Sequence, residues 1–207
     1  MKLLLLGATG RIGSKVLEQA VAAGHSITVL ARHPEAIKIS APNLAVVAGD
    51  ATNHEQLASL VAGQDAIIST LGHFGPKYSD VSTTAARTIL EQLTPAQRYI
   101  GVTGQVPDPK DPPQPLLGQL ANMLIKRLPG NVYGDGLSHY QTLKASNKKW
   151  MMARFPRLSS GKLTGTYRVG YLPVGALDTL SYADAAHFLL SQISSDTWLR
   201  QAPIVLR

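Results

Sequence analysis

The sequence predicts an α/β protein with a doubly wound parallel sheet, the Rossmann fold, in a single domain whose C-terminal portion completes a substrate pocket. Short apolar runs alternate with helical patterns over the first two thirds of the chain. The first run, residues 3–6, leads directly into a glycine-rich loop, and an amphipathic helix follows. Strands that alternate with helices favour parallel pairing through right-handed crossovers, with both faces of the sheet covered.

The individual elements follow from run length and capping residues. Each apolar run is short and is bounded by turn or polar residues, which is typical of strands. The first helix ends near Gly24, Asn53 can cap the next one, and Ser181 stands three residues before Asp184 as in a capping box. Strands are therefore predicted at residues 3–6, 27–30, 44–47, 66–69, 99–102, 150–153 and 203–206, and helices at 12–24, 53–60, 82–93, 138–146 and 181–192.

Composition limits the classes of partner. The chain has 207 residues, 44% of them hydrophobic, which suits one domain. Its net charge of +7, from 20 Lys and Arg against 13 Asp and Glu, attracts anions such as phosphorylated cofactors. The basic residues form no block and no nucleic-acid motif accompanies them, so we expect no nucleic-acid partner. We expect a monomer or a homodimer.

The start of the chain is too short for a secretory leader, because its apolar run stops at Gly7 and Arg11 follows. No later stretch approaches the roughly 20 apolar residues that a membrane span needs. The chain has no cysteine, which excludes disulfides, zinc-thiolate sites and a cysteine nucleophile. These features predict a cytoplasmic protein that needs no membrane.

A proline-rich segment interrupts the alternation of strands and helices. Residues 106–115 contain too many prolines for a helix or a central strand, so we expect a surface loop. The loop follows a strand, at the sheet edge where such folds bind ligands. Residues 116–128 are expected to form a helical flap, so that residues 105–137 together cover the cleft.

The loop GATGRIG has the residues and the position of a phosphate-binding turn. Gly7 permits the tight turn, Gly10 lets the backbone approach a pyrophosphate, and Gly13 lets the helix pack closely on the strand. Thr9, Arg11 and Ile12 complete the loop and the first helical turn, whose free N–H groups attract an anion. The spacing is GxxGxxG without the GK[ST] ending of an ATP-binding loop. It predicts a dinucleotide site; the alternative is a purely structural turn.

Arg32 predicts which dinucleotide is preferred. It stands about 20 residues beyond the glycine loop, where proteins that prefer NAD place an acidic residue on the ribose 2′-hydroxyl. A guanidinium at this point suits the 2′-phosphate of NADP(H), which it can bind with two hydrogen bonds. The alternative is an exposed arginine at a strand end.

Four segments together, GATGRIG, AGDATN, STLG and WMMARFPRL, resemble the atypical short-chain dehydrogenase/reductase family. The similarity is greatest to its single-domain NAD(P)-binding members, the NmrA-like regulators and the biliverdin-IXβ and flavin reductases. It extends to GKLTGTYRV and SYADAAHFLL and so covers nearly the whole chain. It implies a Rossmann fold and an NAD(P)H-dependent oxidoreductase, but identifies no substrate.

The resemblance also implies roles for individual positions. Asp50, with Ala51, corresponds to the residue that meets the adenine. Leu71 and Gly72 correspond to the ribose-lining pair, and Thr103 to a residue beside the nicotinamide. The pair Phe155 and Pro156 corresponds to the backbone that borders the nicotinamide or substrate pocket.

Tyr140 and Lys144 match the spacing of the tyrosine and lysine that protonate a carbonyl in typical short-chain dehydrogenases, and would share a helix face. In the subfamily pattern, however, the Tyr140 position holds a glutamate about one turn beyond the catalytic tyrosine, so the match can be fortuitous. Gly104 stands where flavin-reductase relatives often carry a serine. His73, at the predicted cleft mouth, either donates a proton or shapes the rim. The histidines have no metal-ligand spacing, so we expect no metal.

Three hypotheses of function follow. The first is an NADPH-dependent reductase that transfers hydride to a small planar acceptor, such as a flavin or quinone, because such acceptors need little acid catalysis from the protein. The second is a non-catalytic NADP(H)-binding redox sensor with a protein partner. The third is a carbonyl reductase or epimerase that uses Tyr140 and Lys144.

Overall fold

The strands of the protein form one large, mainly parallel sheet and a short two-stranded ribbon. The computed structural model describes residues 1–72, 80–104, 106–113, 132–175 and 177–207, with the backbone alone at 132 and 133. The described strands are β1 (Lys2–Leu6), β2 (Ser26–Ala31), β3 (Leu44–Ala48), β4 (Ala66–Ser69), β5 (Arg98–Thr103), β6 (Trp150–Arg154), β7 (Leu158–Ser159), β8 (Arg168–Gly170), β9 (Leu180–Ser181) and β10 (Ile204–Leu206).

The order of strands in the sheet is β3-β2-β1-β4-β5-β6-β10-β8. The first seven in this order are parallel, and β8 pairs with β10 in the antiparallel direction. The order reverses between β1 and β4, and such a switch point is where open α/β sheets bind ligands, outside the carboxyl ends of the strands. The predicted fold class is confirmed.

The helices cover both faces of the sheet. Leu3 and Leu5 of β1 face one core, which α1 and the last helix cover, and Leu4 and Leu6 face the other. A strand buried on both faces needs apolar residues at every position, which explains the unbroken leucine run. The described helices are α1 (Arg11–Ala22), α2 (His54–Val61), α3 (Val81–Gln92), α4 (Val132–Ala145) and α5 (Tyr182–Ser191).

The capping residues in the sequence predict most helix ends correctly. The Asn53 side chain accepts from the amide of Gln56, and the Ser181 hydroxyl accepts from the amide of Asp184, so both predicted caps are confirmed. Helix α4, in contrast, is already formed at Val132, the first described residue after the gap, rather than only from residue 138. Glycines at 134 and 136 conceal this part of the helix, because glycine is a poor helix former.

Two features at the far edge of the sheet escape sequence analysis. Strand β8 is only three residues long, and its pairing with β10 is antiparallel. Strands β7 and β9 have two residues each and pair with one another outside the main sheet. Pairs this short contain too few residues for an alternation of apolar and polar side chains to be recognised.

A buried arginine fixes the described part of the proline-rich segment against the sheet. Arg154, which is 1% exposed, makes two hydrogen bonds of 2.6 Å to the carboxylate of Asp111. It also donates to the backbone carbonyls of Val106 and Ala202, at 2.8 and 2.7 Å. Residues 106–113 are therefore a tethered loop. The expected flap, residues 116–128, lies outside the described residues.

Candidate functional site

Two adjoining cavities open at the carboxyl ends of β1 and β4. One has a volume of about 230 Å³ and lies between the glycine loop and the ends of β2 and β3. The other, of about 760 Å³, extends towards β5, β6 and the start of α5. Both are lined by a shared strip, defined as residues Gly10, Thr70, Leu71 and Gly72.

The glycine loop has the geometry that a pyrophosphate needs. Gly7 has a φ of +80°, and a Cβ there would lie 2.8 Å from Thr70. A Cβ on Gly13 would lie 2.1 Å from the carbonyl oxygen of Gly7, so only glycine lets α1 approach the turn this closely. Gly10 is the N-cap of α1 and provides no side-chain cap. The first-turn amides of α1 therefore have no partner within the helix and can bind an anion.

The smaller cavity contains the residues expected around the adenosine half of a dinucleotide. Arg32 and Asp50 both line it, at the ends of β2 and β3. Asp50 accepts two hydrogen bonds from Thr52, of 2.9 Å from the amide and 2.8 Å from the hydroxyl. These bonds and the nearby guanidinium of Arg32 outweigh burial and hold the pKa of Asp50 below its usual value. The predicted residues lining this cavity are Gly7, Thr9, Gly10, Arg32, Asp50, Ala51, Leu71 and Gly72.

The backbone of the shared strip leaves space that a ligand could fill. Gly72 lines both cavities, and a Cβ built there would meet no atom of the described residues within 4 Å. A dinucleotide that crosses from one cavity to the other would pass this point. The residues present therefore fit such a cofactor.

The larger cavity is bordered by apolar side chains and by glycines. Val102, Phe155 and Leu158 supply apolar walls, and Gly104 and Gly136 also line the cavity. The cavity contains the remaining predicted cofactor-binding residues except two. Gly13 lies beneath the loop, and Pro156 is not among the described residues that line either cavity. The predicted residues that do line it are Arg11, Ile12, Thr103 and Phe155, together with the shared strip.

Arg11 and Tyr182 meet at one side of the larger cavity. The guanidinium of Arg11 donates to the Tyr182 hydroxyl at 3.1 Å and lies 5.9 Å from the centre of its ring. Tyr182 is the first residue of α5, so this contact joins the first helix of the chain to the last described one. Sequence analysis assigned no role to Tyr182.

Asp135 is a second residue that sequence analysis missed. It is 4% exposed and lies in α4, at the wall of the larger cavity. Its carboxylate accepts from the amides of Ser82 and Thr83, at 3.1 and 3.0 Å, and from the Thr83 hydroxyl at 2.6 Å. It therefore caps the N-terminus of α3 from a neighbouring helix, where a negative charge is most favourable.

His139 follows Asp135 by one helical turn and also lines the larger cavity. Its Nε2 lies 2.8 Å from the hydroxyl of Tyr99, a residue of β5 that is fully buried. Burial lowers the pKa of His139 to about 4, against the opposing effect of the Asp135 carboxylate. The imidazole is therefore neutral at neutral pH.

Tyr140 and Lys144 occupy a different place from the cavities. The Tyr140 hydroxyl donates to the carboxylate of Asp108 in the tethered loop, and its ring packs edge-on against Trp150. Lys144 Nζ lies 5.3 Å from the centre of the Tyr140 ring, so the predicted pair does meet. Neither residue is among the described residues lining the two cavities. His73 lies outside the described residues.

The described residues contain no candidate for a membrane span or for a metal site. No helix there has the length and apolar character to cross a bilayer. Within the same ranges, no cluster of three or more histidine, aspartate or glutamate side chains could hold a metal ion.

The sequence matches the model of a family described as NAD(P)H-binding over residues 7–196. This match confirms the cofactor class that the glycine loop predicts. An isoflavone reductase homolog from Solanum tuberosum is 35% identical over 81 residues, or 35% of this chain and 26% of that protein. Phenylcoumaran benzylic ether reductase 1 from Arabidopsis thaliana is 29% identical over 107 residues, or 46% of this chain and 35% of that protein. The chain thus matches only about a quarter to a third of these relatives.

Solved structures of similar shape cover the whole chain at low identity. SP1627 of Streptococcus pneumoniae, whose proposed activity is that of an NADH-flavin reductase, has a TM-score of 0.76 and 20% identity over 100% of this chain and 99% of its own. The anaerobilin reductase ChuY of Escherichia coli O157:H7 has a TM-score of 0.76 and 21% identity over 99% and 96% of the two chains. These similarities support the Rossmann fold.

Proposed function

Because the chain belongs to the NAD(P)H-binding family, we propose that it is an NADPH-dependent reductase that transfers hydride to a small planar acceptor such as a flavin or quinone. The observation that carries the proposal is the larger cavity. It has a volume of about 760 Å³, borders the cofactor cavity along the shared strip, and is walled by apolar side chains. Its volume is in the range of small-molecule sites.

The smaller cavity would hold the adenosine half of the cofactor. The amides at the start of α1 would bind the pyrophosphate, and Arg32 would bind the 2′-phosphate of NADPH. Asp50, kept ionised by its bonds to Thr52, would accept from adenine or ribose hydrogen-bond donors. The nicotinamide end would then cross Gly72 into the larger cavity, beside Thr103. When bound, the reduced nicotinamide supplies the hydride.

The walls of the larger cavity favour a flat, apolar acceptor. Val102, Phe155 and Leu158 would contact the faces and edges of a ring system. Gly104 leaves room beside it, since a Cβ there would meet none of the described atoms within 4 Å. ChuY is named for reduction of an anaerobilin and SP1627 for proposed reduction of flavin, both of them conjugated acceptors, which supports this class.

The position of the predicted proton donor also favours such an acceptor. A simple carbonyl develops a localised oxyanion that needs a proton donor, whereas a flavin or quinone spreads the incoming charge over its ring. Tyr140, the predicted proton donor, is hydrogen-bonded to Asp108 in the tethered loop rather than lining the described cavity walls. A carbonyl reductase or epimerase that uses Tyr140 and Lys144 is therefore the less favoured alternative.

The test is to follow NADPH oxidation with FMN, a naphthoquinone and an aliphatic aldehyde as separate acceptors. We expect turnover with FMN or the quinone, and much less with the aldehyde. Turnover with the aldehyde alone would overturn the proposal, and turnover with none of the three would favour the redox sensor.

A cavity-filling variant sharpens the test. Among the described residues, Gly104 lines the larger cavity only, and a Cβ there meets none of their atoms within 4 Å, so Gly104→Leu should place its side chain in the acceptor space. We expect acceptor turnover to fall at least about tenfold while the NADPH dissociation constant changes less than about twofold. Leu177→Ala, at a residue that is 89% exposed, is the control.

A further inference from the structure

His139, which lines the larger cavity, has an unsatisfied hydrogen-bonding atom. The side chain is 1% exposed, and its Nδ1 has no hydrogen-bond partner among the described residues. Its other ring nitrogen, Nε2, is bonded to the hydroxyl of Tyr99. Buried polar atoms are nearly always paired with protein, water or ligand, so an unpaired one in a residue that lines the cavity points to a partner from outside the chain.

The bond to Tyr99 determines which proton the imidazole carries. Tyr99 is fully buried, and a phenolic O–H so enclosed must donate to an acceptor. Nε2 of His139 lies 2.8 Å from this hydroxyl, and we infer that it is the acceptor. A neutral imidazole that accepts at Nε2 carries its proton on Nδ1. The unpaired atom is therefore an N–H donor.

We propose that the Nδ1–H of His139 donates a hydrogen bond to a carbonyl oxygen of the acceptor. The inference rests on the proposed reductase function and narrows its substrate class to planar conjugated acceptors that carry a ring carbonyl, as quinones and the isoalloxazine ring do. The donor would stabilise the negative charge that reaches this oxygen during reduction.

The protonation state of His139 does not change during the proposed reaction. Hydride from the reduced nicotinamide carries two electrons and one proton to the acceptor, and NADP⁺ is the other product. The second proton of the reduced acceptor comes from water. A neutral imidazole with a pKa of about 4 has no extra proton to give, so it acts as a hydrogen-bond donor throughout.

Two substitutions separate this role from a structural one. In His139→Gln the amide reaches the position of Nε2 and can still accept from Tyr99, but the Nδ1 donor is lost. In His139→Asn the amide nitrogen takes the position of Nδ1, while the contact with Tyr99 is lost. The second change is made together with Tyr99→Phe, so that no buried hydroxyl is left unpaired.

We expect His139→Gln to lower kcat/KM for a naphthoquinone about tenfold to a hundredfold, with NADPH affinity unchanged within about twofold. His139→Asn with Tyr99→Phe should keep kcat/KM within about fivefold of Tyr99→Phe alone. An unchanged His139→Gln enzyme would overturn the proposal, because only the contact of Nε2 would then matter.

A spectroscopic measurement tests the contact without turnover. The ring ¹⁵N resonances of His139 should show protonated Nδ1 in the NADP⁺ complex, and this signal should shift when FMN is added. His187 is the internal control, because its Nδ1 bonds the Tyr167 hydroxyl at the same 2.8 Å but the residue is exposed and lies outside the described lining of the larger cavity.

The two measurements separate failure of this inference from failure of the proposed function. Absence of turnover by the wild type with every acceptor rejects the reductase proposal. A His139 signal that stays unchanged when bound FMN is shown by quenching of its fluorescence rejects the Nδ1 contact, whether or not turnover occurs.

Discussion

The two halves of the cleft are built in different ways. The proposed cofactor half, the smaller cavity, depends on the backbone of one loop and on residues just after β2 and β3, such as Arg32 and Asp50. The proposed acceptor half, the larger cavity, is assembled from side chains of α3, α4, β5 and α5, which are far apart along the chain. Local geometry therefore creates the first half, and tertiary packing creates the second.

The two halves also differ in how their charges are used. In the cofactor half, the amides at the start of α1 are left without a side-chain cap and can meet an anion. At the corresponding end of α3, in the acceptor half, Asp135 already caps the amides of Ser82 and Thr83. One helix terminus can thus bind a phosphate, and the other is closed by the protein's own carboxylate.

The largest expected effect, on both stability and NADPH affinity, comes from adding a side chain within the glycine loop. Gly13→Ala would place a Cβ 2.1 Å from the Gly7 carbonyl oxygen, so the loop or α1 must move. We expect the free energy of unfolding to fall by about 3 kcal/mol and NADPH affinity to fall about a hundredfold. Urea unfolding and isothermal titration measure the two. Gly72→Ala is the control for stability, since its Cβ meets no atom within 4 Å in the part of the chain that the structure describes. Equal destabilisation by the two substitutions would contradict the explanation.

Asp135→Ala tests the acceptor half. It removes a buried carboxylate that accepts three hydrogen bonds from Ser82 and Thr83, so we expect unfolding free energy to fall by about 2–3 kcal/mol. NADPH affinity should change less than about threefold, because the glycine loop is untouched. Asp196→Ala, at an exposed partner of Arg98, should alter stability by less than about 1 kcal/mol. A large loss of NADPH affinity in Asp135→Ala would contradict the view that the two halves are built independently.

Arg32→Gln tests selectivity within the cofactor half. Loss of a charge-assisted contact to the 2′-phosphate should weaken NADPH about tenfold to a hundredfold, or about 1.5–3 kcal/mol. NADH, which lacks this phosphate, should bind as before. The same substitution at Arg168, which is outside both described cavity linings, serves as control. A wild type that binds NADH as tightly as NADPH would show that Arg32 has another role.

The smallest effect is expected for Tyr140→Phe. If the hydroxyl only ties α4 to Asp108, turnover should stay within a few fold, and stability should fall by about 1 kcal/mol. General acid catalysis contributes about 10²–10⁴-fold, so a loss of that size would restore Tyr140 to a catalytic role. Tyr167→Phe, which removes an exposed hydroxyl bonded to His187, is the matched control. Steady-state kinetics with the naphthoquinone provide the comparison.

These differences explain what the sequence could and could not predict. The glycine loop, the leucine strand and Arg32 lie within one strand–turn–helix–strand unit. Within such a unit, the spacing of residues along the chain determines how they are placed relative to one another. Asp135 and His139 carry a weaker signal, the four-residue spacing of one helix face, which glycines at 134 and 136 conceal. Their partners, Thr83 and Tyr99, belong to other elements, and no spacing along the chain connects them.

The tyrosine and lysine motif shows the opposite case. Tyr140 and Lys144 do lie together on one face of α4, as their spacing predicts. The orientation of that face is decided by what packs against it, here Trp150 and the tethered loop with Asp108. Spacing alone therefore identifies neighbours on a helix without identifying the surface they face.

The shared strip has a consequence for the order of events in each catalytic cycle. Gly10, Thr70, Leu71 and Gly72 border both cavities, so a cofactor that occupies the first would also form part of the floor of the second. An acceptor would find its complete binding surface only after the cofactor is in place. We expect compulsory-order kinetics, in which NADPH enters first, the reduced acceptor leaves before NADP⁺, and NADP⁺ inhibits competitively against NADPH.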